Sequence, residues 1–223
     1  MLLLATDTSG KNGSIALARC DGEACEVLEI VPLVGGTFSA QLVPQVAGLL
    51  AKHGFTKSDL GGFAVASGPG SFTGLRVGLA AIKALAEVLE KPIAAVSLLE
   101  AVARSAQLEG NILAALDAGR NEVYLGEYQI RGSTGEARCE WLGNREECFA
   151  SGAQKVIVSP YTSIAEEARA RGLEVKLVEH PGSDLIAKIG WQKIRSGKTV
   201  SPQELDANYI RRSDAEIFAP NKS

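Results

Sequence analysis

Hydrophobic positions along the first half of the chain follow two periods. Runs of continuous or alternating apolar residues predict strands, and apolar residues three or four positions apart predict helices. In the segment 39–53, for example, Leu42, Val46 and Leu49 share one helical face, and Gly54 marks its end. The predicted order is strand, strand, strand, helix, strand, helix, strand and helix, at 2–6, 13–18, 23–31, 39–53, 62–66, 72–90, 93–96 and 98–107.

The second half of the chain repeats this order. The elements predicted there are strands at 111–116, 122–130, 137–142, 155–158 and 174–178 and helices at 161–171 and 185–196, with a short polar segment after the third strand. Asp7 and Asp117 each end the first strand of a copy. Two such copies predict two similar α/β lobes with mixed sheets. This is the order of elements in the actin-like, sugar-kinase and Hsp70-type fold, where ligands lie between the lobes.

From this repeat we predict three parts of the chain. The first lobe covers 1–105, the second lobe covers 106–198, and a C-terminal tail covers 199–223. The tail contains Pro202 and Pro220, and the sequence does not assign its docking.

The helix predicted at 72–90 is apolar on nearly every side. Its charged residues, which lie within one narrow arc, are Arg76, Lys83, Glu87 and Glu90. A helix with this pattern is buried on two sides, by its own sheet and by a second structure, for which we predict a partner protein. The bulky flank predicted to pack on the first sheet is Leu75, Leu79, Ile82, Ala86 and Leu89. The set predicted to contact the partner is Arg76, Val77, Gly78, Ala80, Ala81, Ala84 and Val88.

A glycine-rich turn at 67–74 opens this helix and has two interpretations. Backbone N–H groups at a helix N-terminus suit a phosphate or a carboxylate. Alternatively, the turn is a tight strand-to-helix connection in which glycines allow positive φ and Ser71 or Thr73 caps the helix. It matches neither the P-loop nor the dinucleotide-binding fingerprint. The candidates for an anion site are Asp7, Ser9, Gly68, Gly70, Ser71 and Thr73.

Composition excludes several classes of protein. A chain of 223 residues with 46% hydrophobic and 22% charged residues is globular. Its net charge of −3 provides no basic field for tight binding to nucleic acid by this chain alone. Its four cysteines and two histidines match no zinc spacing and leave little material for a catalytic triad, so we expect reduced thiols, no metal site and no cofactor. We find neither a secretory signal nor a membrane span, and we predict a cytoplasmic protein.

Several motifs, in order over most of the chain, resemble a known family. They lie at 4–9, 39–44, 66–78, 96–101, 115–124 and 209–212. The most specific is Gly68-Pro69-Gly70-Ser71-Phe72-Thr73-Gly74, with Arg76 two residues later. Together they resemble the bacterial tRNA threonylcarbamoyladenosine biosynthesis family TsaB, also called YeaZ.

This resemblance implies a subunit without catalytic residues of its own. TsaD, the related transferase that adds threonylcarbamoyl to adenosine beside the tRNA anticodon, carries a His-x-x-x-His metal motif after the strand that corresponds to 93–96. Those two positions hold Leu98 and Val102 here, which cannot bind a metal. The family also often has a histidine where this chain has Phe38.

The partners implied by the resemblance are TsaD, bound through the first lobe as a heterodimer, and the ATPase TsaE. Contact with tRNA is then made only through the complex, and a homodimer is possible in isolation. Two alternatives stay open: a metallopeptidase or ATP-dependent enzyme of the same fold, and a structural homodimer. The enzyme alternative lacks the metal ligands, and after Gly61-Gly62 the chain has no adjacent glycines to form an adenosine-binding loop.

Overall fold

A computed structural model describes residues 1–34 and 37–210 of the chain. The strands are β1 (Leu2–Asp7), β2 (Gly13–Asp21), β3 (Ala24–Leu33), β4 (Leu60–Gly68), β5 (Ile93–Ser97), β6 (Gly110–Gly119), β7 (Glu122–Arg131), β8 (Thr134–Asn144), β9 (Val156–Ser159) and β10 (Val175–Leu177). The helices are α1 (Phe38–Lys52), α2 (Phe72–Leu89), α3 (Leu98–Ser105), α4 (Arg145–Gly152), α5 (Thr162–Ala170) and α6 (Ser183–Arg195), with a 3-10 turn at Lys57–Asp59. The pair Arg211-Arg212 in the last motif lies outside the described residues.

The strands form two five-stranded sheets with the same topology. The first has the order β3-β2-β1-β4-β5, and the second, read from its opposite edge, has the equivalent order β8-β7-β6-β9-β10. In each sheet the three-stranded meander is antiparallel and the last two strands join in parallel. This confirms the predicted fold class of two similar α/β lobes with mixed sheets.

One face of the first sheet is covered by α1 and α2. Alternate residues of β1 and β2 point into this core, because successive side chains of a strand lie on opposite faces. The buried side chains that fill it include Leu4, Leu17, Phe63, Leu42 and Leu75. The bulky flank predicted for α2 therefore packs on the first sheet, with Leu75, Leu79, Ile82 and Ala86 buried and Leu89 half-buried.

The other face of the first sheet is covered by α6, which comes from the far end of the chain. Small side chains such as Ala5, Ala16 and Ala64 line this face, and the helix packs on them with Ile186 and Ile189. Lys193 Nζ also donates a hydrogen bond to the Ala95 carbonyl. The sequence division places this helix in the second lobe, but its apolar side chains pack on the first sheet. The lobe boundaries themselves stay a prediction.

The second sheet is covered by α3 on one face and by α4 and α5 on the other. Of these helices, α4 lies where we predicted only a short polar segment. A capping box between Asn144 and Glu147 starts it. Only Cys148 and Phe149 contribute sizeable buried side chains, so the helix shows no helical hydrophobic period.

The first part of the tail docks on the first lobe. Val200 pairs with Ile93, Leu205 is buried in the first core, and Asn208 N donates to the Ser67 carbonyl at 2.7 Å. The Asn208 side-chain amide donates to the Glu140 carboxylate on β8, which also accepts from the Ser97 and Tyr128 hydroxyls. Glu140 therefore connects the second lobe with the first and with the tail. No helix in the described ranges is long and apolar enough to cross a membrane.

Candidate functional site

A cleft of about 470 Å³ lies between the two lobes. The first lobe contributes Asp7 and Gly70, and the second contributes Asp117, Tyr161 and the His180 segment. The two aspartates thus meet at one site because each lies at the C-terminal end of the central strand of its sheet. The interlobe position is the one expected for ligands in this fold.

Asp7 is the buried carboxyl group of the cleft. It is 7% exposed, and its Oδ1 accepts hydrogen bonds from Ser9 N at 2.8 Å and from Ser9 Oγ at 2.6 Å. Burial raises the pKa of this carboxyl above its ordinary value of 3.8, against the lowering effects of the Ser9 hydrogen bonds and of His180. The charged form of Asp7 is therefore held in the folded protein at a cost in stability.

Asp7→Asn is expected to stabilise the protein at neutral pH. Because the folded state binds the Asp7 proton more tightly than the unfolded state, wild-type stability falls as pH rises from 3.8 through the raised pKa. The asparagine carries no such charge, and its Oδ1 can still accept both bonds from Ser9. Urea unfolding between pH 4 and pH 8 should show a gain that is present at neutral pH and fades towards pH 4. An unchanged or lower stability at pH 7 would contradict it.

Asp117 is held more loosely than Asp7. Its Oδ1 accepts from Gly119 N at 2.6 Å, and its Oδ2 lies 3.7 Å from Arg145 Nη2. On the same side of the cleft, the Tyr161 ring meets the His180 ring edge to face, with 5.0 Å between centroids. The cleft thus has two carboxyl groups and the single lysine Lys11 among its lining residues, so it does not by itself favour phosphate. In the described part of the chain, no group of three or more His, Cys, Asp or Glu side chains is placed to hold a metal.

Only some of the candidates for an anion site line the cleft, and the anion site itself stays a prediction. Asp7, Ser9 and Gly70 line the cleft, whereas Thr73 lines a groove between α1 and α2, and Gly68 and Ser71 line neither. Ser71 N donates to the Ser9 carbonyl at 2.6 Å, and Ser71 Oγ accepts from Gly74 N at 3.3 Å. The interpretation of the turn as a tight, capped connection is confirmed at Ser71.

A second candidate site is an apolar surface on α1 and α2, which we call the α1–α2 face. It consists of Val43, Ala80, Ala84 and Val88, of which Val43 is 61% and Val88 71% exposed. A groove of about 460 Å³ runs beside these residues. Its walls are Ser39, Leu42, Val43, Phe72, Thr73, Arg76, Val77, Ala80 and Ala81.

Gly78, predicted to contact a partner, instead packs inside its own chain. A Cβ at Gly78 would lie 2.4 Å from Thr8 Oγ1, and one at Gly74 would lie 2.1 Å from the Thr8 carbonyl oxygen. Thr8 Oγ1 also donates to the Gly74 carbonyl at 2.8 Å. The two glycines let α2 close onto the turn that follows β1, so Gly78 is removed from the predicted interface.

The tail borders the groove through an aromatic cluster. The Arg76 guanidinium lies 3.6 Å from the centroid of the Phe72 ring, and Arg76 Nε donates to Tyr209 Oη at 3.2 Å. Phe72 and Tyr209 pack with their centroids 5.1 Å apart. Val43, Phe72 and Tyr209 are surface residues of this site that were not predicted from the sequence. The available signal was Val43, an apolar residue beside the buried stripe of α1.

Two lobes with the same sheet topology around a cleft place the chain in the actin-like, sugar-kinase and Hsp70-type fold class. A ROK family protein from Streptococcus pneumoniae TIGR4, solved in complex with sucrose, shares the fold. The TM-score is 0.51 at 9% identity, over 89% of this chain and all of that one.

Sequence comparison identifies the family within this class. Residues 30–178 match the family model of TsaD, tRNA N6-adenosine threonylcarbamoyltransferase. The tRNA threonylcarbamoyladenosine biosynthesis protein TsaB of Escherichia coli K12 is 29% identical over the full length of both chains. TsaB of Bacillus subtilis 168 is 39% identical over 59% of this chain and 56% of its own length.

A solved structure agrees with these relatives. A Pseudomonas aeruginosa protein, described by its similarity to the peptidase YeaZ, superposes with a TM-score of 0.78 at 27% identity, over 94% of this chain and 99% of that one. The chain belongs to the TsaB/YeaZ family, which is related to TsaD.

Proposed function

We propose that this chain acts in the biosynthesis of tRNA threonylcarbamoyladenosine as a subunit that pairs with TsaD and activates it, without catalysing a reaction itself. Family membership supports the pathway, because the named relatives are biosynthesis proteins of this modification. The observation that carries the role of partner subunit is the α1–α2 face.

The α1–α2 face has the properties of a surface that another protein covers. Val43 and Val88 are large apolar residues with most of their surface in water, and Ala80 and Ala84 on α2 are exposed as well. Burying apolar area contributes about 25 cal/mol per Å². Small residues also allow a partner helix to approach closely. We propose that TsaD binds here in the heterodimer, and that this face forms the homodimer in isolation.

The cleft supports a role without catalysis. Leu98 lines it at the position that corresponds to the first histidine of the TsaD metal motif. Val102, at the second position, is fully buried in the core under the second sheet. Aliphatic side chains have no lone pairs to give a metal. We propose that the chain uses no cofactor, that TsaE joins the assembled complex, and that tRNA is bound only through that complex.

Reconstitution from purified proteins tests this function. The chain alone and TsaD alone should each leave tRNA unmodified, whereas both together, with the enzyme that makes threonylcarbamoyl-adenylate and with TsaE, should modify it repeatedly. The chain and TsaD should also co-elute. ATP hydrolysis or peptide cleavage by the chain alone, abolished in the Asp7→Asn variant, would replace this proposal with an enzyme active in the interlobe cleft.

A further inference from the structure

Cys20 and Cys25 face each other across the hairpin formed by β2 and β3. The two residues are direct partners in the antiparallel ladder, one pair away from the two-residue turn Gly22-Glu23. Their sulfur atoms are 3.3 Å apart, and the Cys20 thiol donates to Cys25 Sγ. Neither residue belongs to the cleft or to the α1–α2 face.

The ladder places this pair at the position where side chains come closest. Cys20 N donates to the Met1 carbonyl at 2.8 Å, and the Met1 amino group donates to the Cys20 carbonyl at 2.6 Å. Both backbone groups of Cys20 therefore point towards β1, and its pair with Cys25 on β3 is a non-hydrogen-bonded one. Such pairs have Cα atoms about 4.5 Å apart, within the range of about 4.4–6.8 Å that disulfides span. A bond between the two sulfurs thus requires little movement of the sheet.

The two thiols differ in access and in charge. Cys20 is 1% exposed, whereas Cys25 is half-buried at the edge of α6. The hydrogen bond from Cys20 lowers the pKa of Cys25 against the raising effect of its partial burial, and the positive charge of Lys188 lowers it further. The same hydrogen bond and burial raise the pKa of Cys20. Cys25 is therefore the thiol that reacts with an external molecule, and Cys20 is the one that reacts second.

The other cysteines of the chain have a different setting. Cys139 is exposed on β8. Cys148 is buried in the second lobe, where burial raises its pKa to about 11. Cys139 provides a natural control, since it is a single accessible thiol in the same protein.

We propose that Cys20 and Cys25 form a thiol–disulfide exchange site that reacts with low-molecular-weight disulfides and closes to a cross-strand disulfide. In the first step the Cys25 thiolate attacks one sulfur of the small disulfide, forming a mixed disulfide and releasing one small thiolate. In the second step the Cys20 thiol loses its proton and attacks Cys25 Sγ, releasing the second small thiolate. Two protein thiols are oxidised by two electrons, and the small disulfide is reduced to two thiols that take up both protons.

The site lies on the face of the first sheet that packs against α6. The α1–α2 face lies on the opposite side of the same sheet. Oxidation is therefore expected to leave partner binding in place, and the inference does not depend on the proposed function.

Oxidised glutathione is the probe that tests the site. The full chain is incubated with it, remaining thiols are alkylated under acid quench, and peptides are analysed by mass spectrometry. In the wild type, Cys20 and Cys25 should lose alkylation together, with a mass lower by two hydrogen atoms that a reductant restores. Cys20→Ser should accumulate glutathione on Cys25, because the second thiol is missing. Cys25→Ser should leave Cys20 reduced, with oxidation slower by about tenfold or more.

The Cys139→Ser variant should behave as the wild type does at Cys20 and Cys25. The proposal is overturned if wild-type Cys25 stays open to alkylation after the treatment. It is equally overturned if glutathione remains on Cys25 of the wild type while Cys20 stays reduced. Both outcomes are read from the wild-type protein, so the test holds even if a serine variant folds poorly.

Discussion

Ala84→Arg is expected to weaken the pairing with TsaD strongly while the chain itself stays folded. Ala84 is exposed on α2, so an arginine there is solvated in the isolated chain. In the proposed complex the same charge is buried without a partner, which costs about 3 kcal/mol or more. The loss of affinity is about a hundredfold or greater. Because this prediction rests on the proposed function, tRNA modification in the reconstituted system should fall with it.

The matched control is Ala170→Arg, the same change at an exposed alanine of α5 in the second lobe. This variant should bind TsaD as the wild type does. Calorimetric titration with TsaD and a thermal melt of each variant separate binding from folding. If Ala84→Arg melts far below wild type, residue 84 is part of the core; if it folds and binds normally, α2 is not the interface.

In α2, the sequence pattern predicted the buried flank but not the packing of its glycines. Its buried flank was predictable from spacing alone, because the helical period places Leu75, Leu79 and Ile82 on one side whatever they pack against. The role of Gly78 was not predictable. Its neighbour Thr8 is distant in sequence, and only the folded chain shows that they touch. A glycine on a helix lets another backbone segment come close, but the sequence pattern does not say whether that segment belongs to the same chain or to a partner.

The same distinction applies to the fold and to the site. The duplicated order of elements predicted two lobes and put Asp7 and Asp117 at the ends of equivalent strands, since both follow from local strand patterns. Their meeting at one cleft is seen only in the folded chain. Other features depend on contacts between distant parts of the chain or on strand register. They are the packing of α6 on the first sheet, the docking of the tail through Asn208 and the pairing of Cys20 with Cys25. A helical period, or a spacing between cysteines, does not contain that information.

Gly74→Ala is expected to destabilise the folded chain by about 3 kcal/mol. In an open helical position, glycine to alanine stabilises by about 0.5–1 kcal/mol, because alanine loses less backbone entropy on folding. At Gly74 the new Cβ would lie 2.1 Å from the backbone oxygen of Thr8, so the helix or the turn after β1 must move. Gly48→Ala is the control, since a Cβ there meets nothing within 4 Å, and it should stabilise the chain.

Urea unfolding of both variants measures this difference, and Thr8→Ala identifies its origin. Removing the Thr8 side chain clears the atom that a Cβ at Gly78 would meet, but not the backbone oxygen that opposes one at Gly74. In double variants, Thr8→Ala should therefore restore the stability that Gly78→Ala loses, but not the stability that Gly74→Ala loses. This result would mean that positions 74 and 78 need glycine for packing within the chain, and not for binding an anion. If Gly74→Ala were as stable as the wild type, the turn after β1 would be looser than described, and ligand binding would again be an explanation for these glycines.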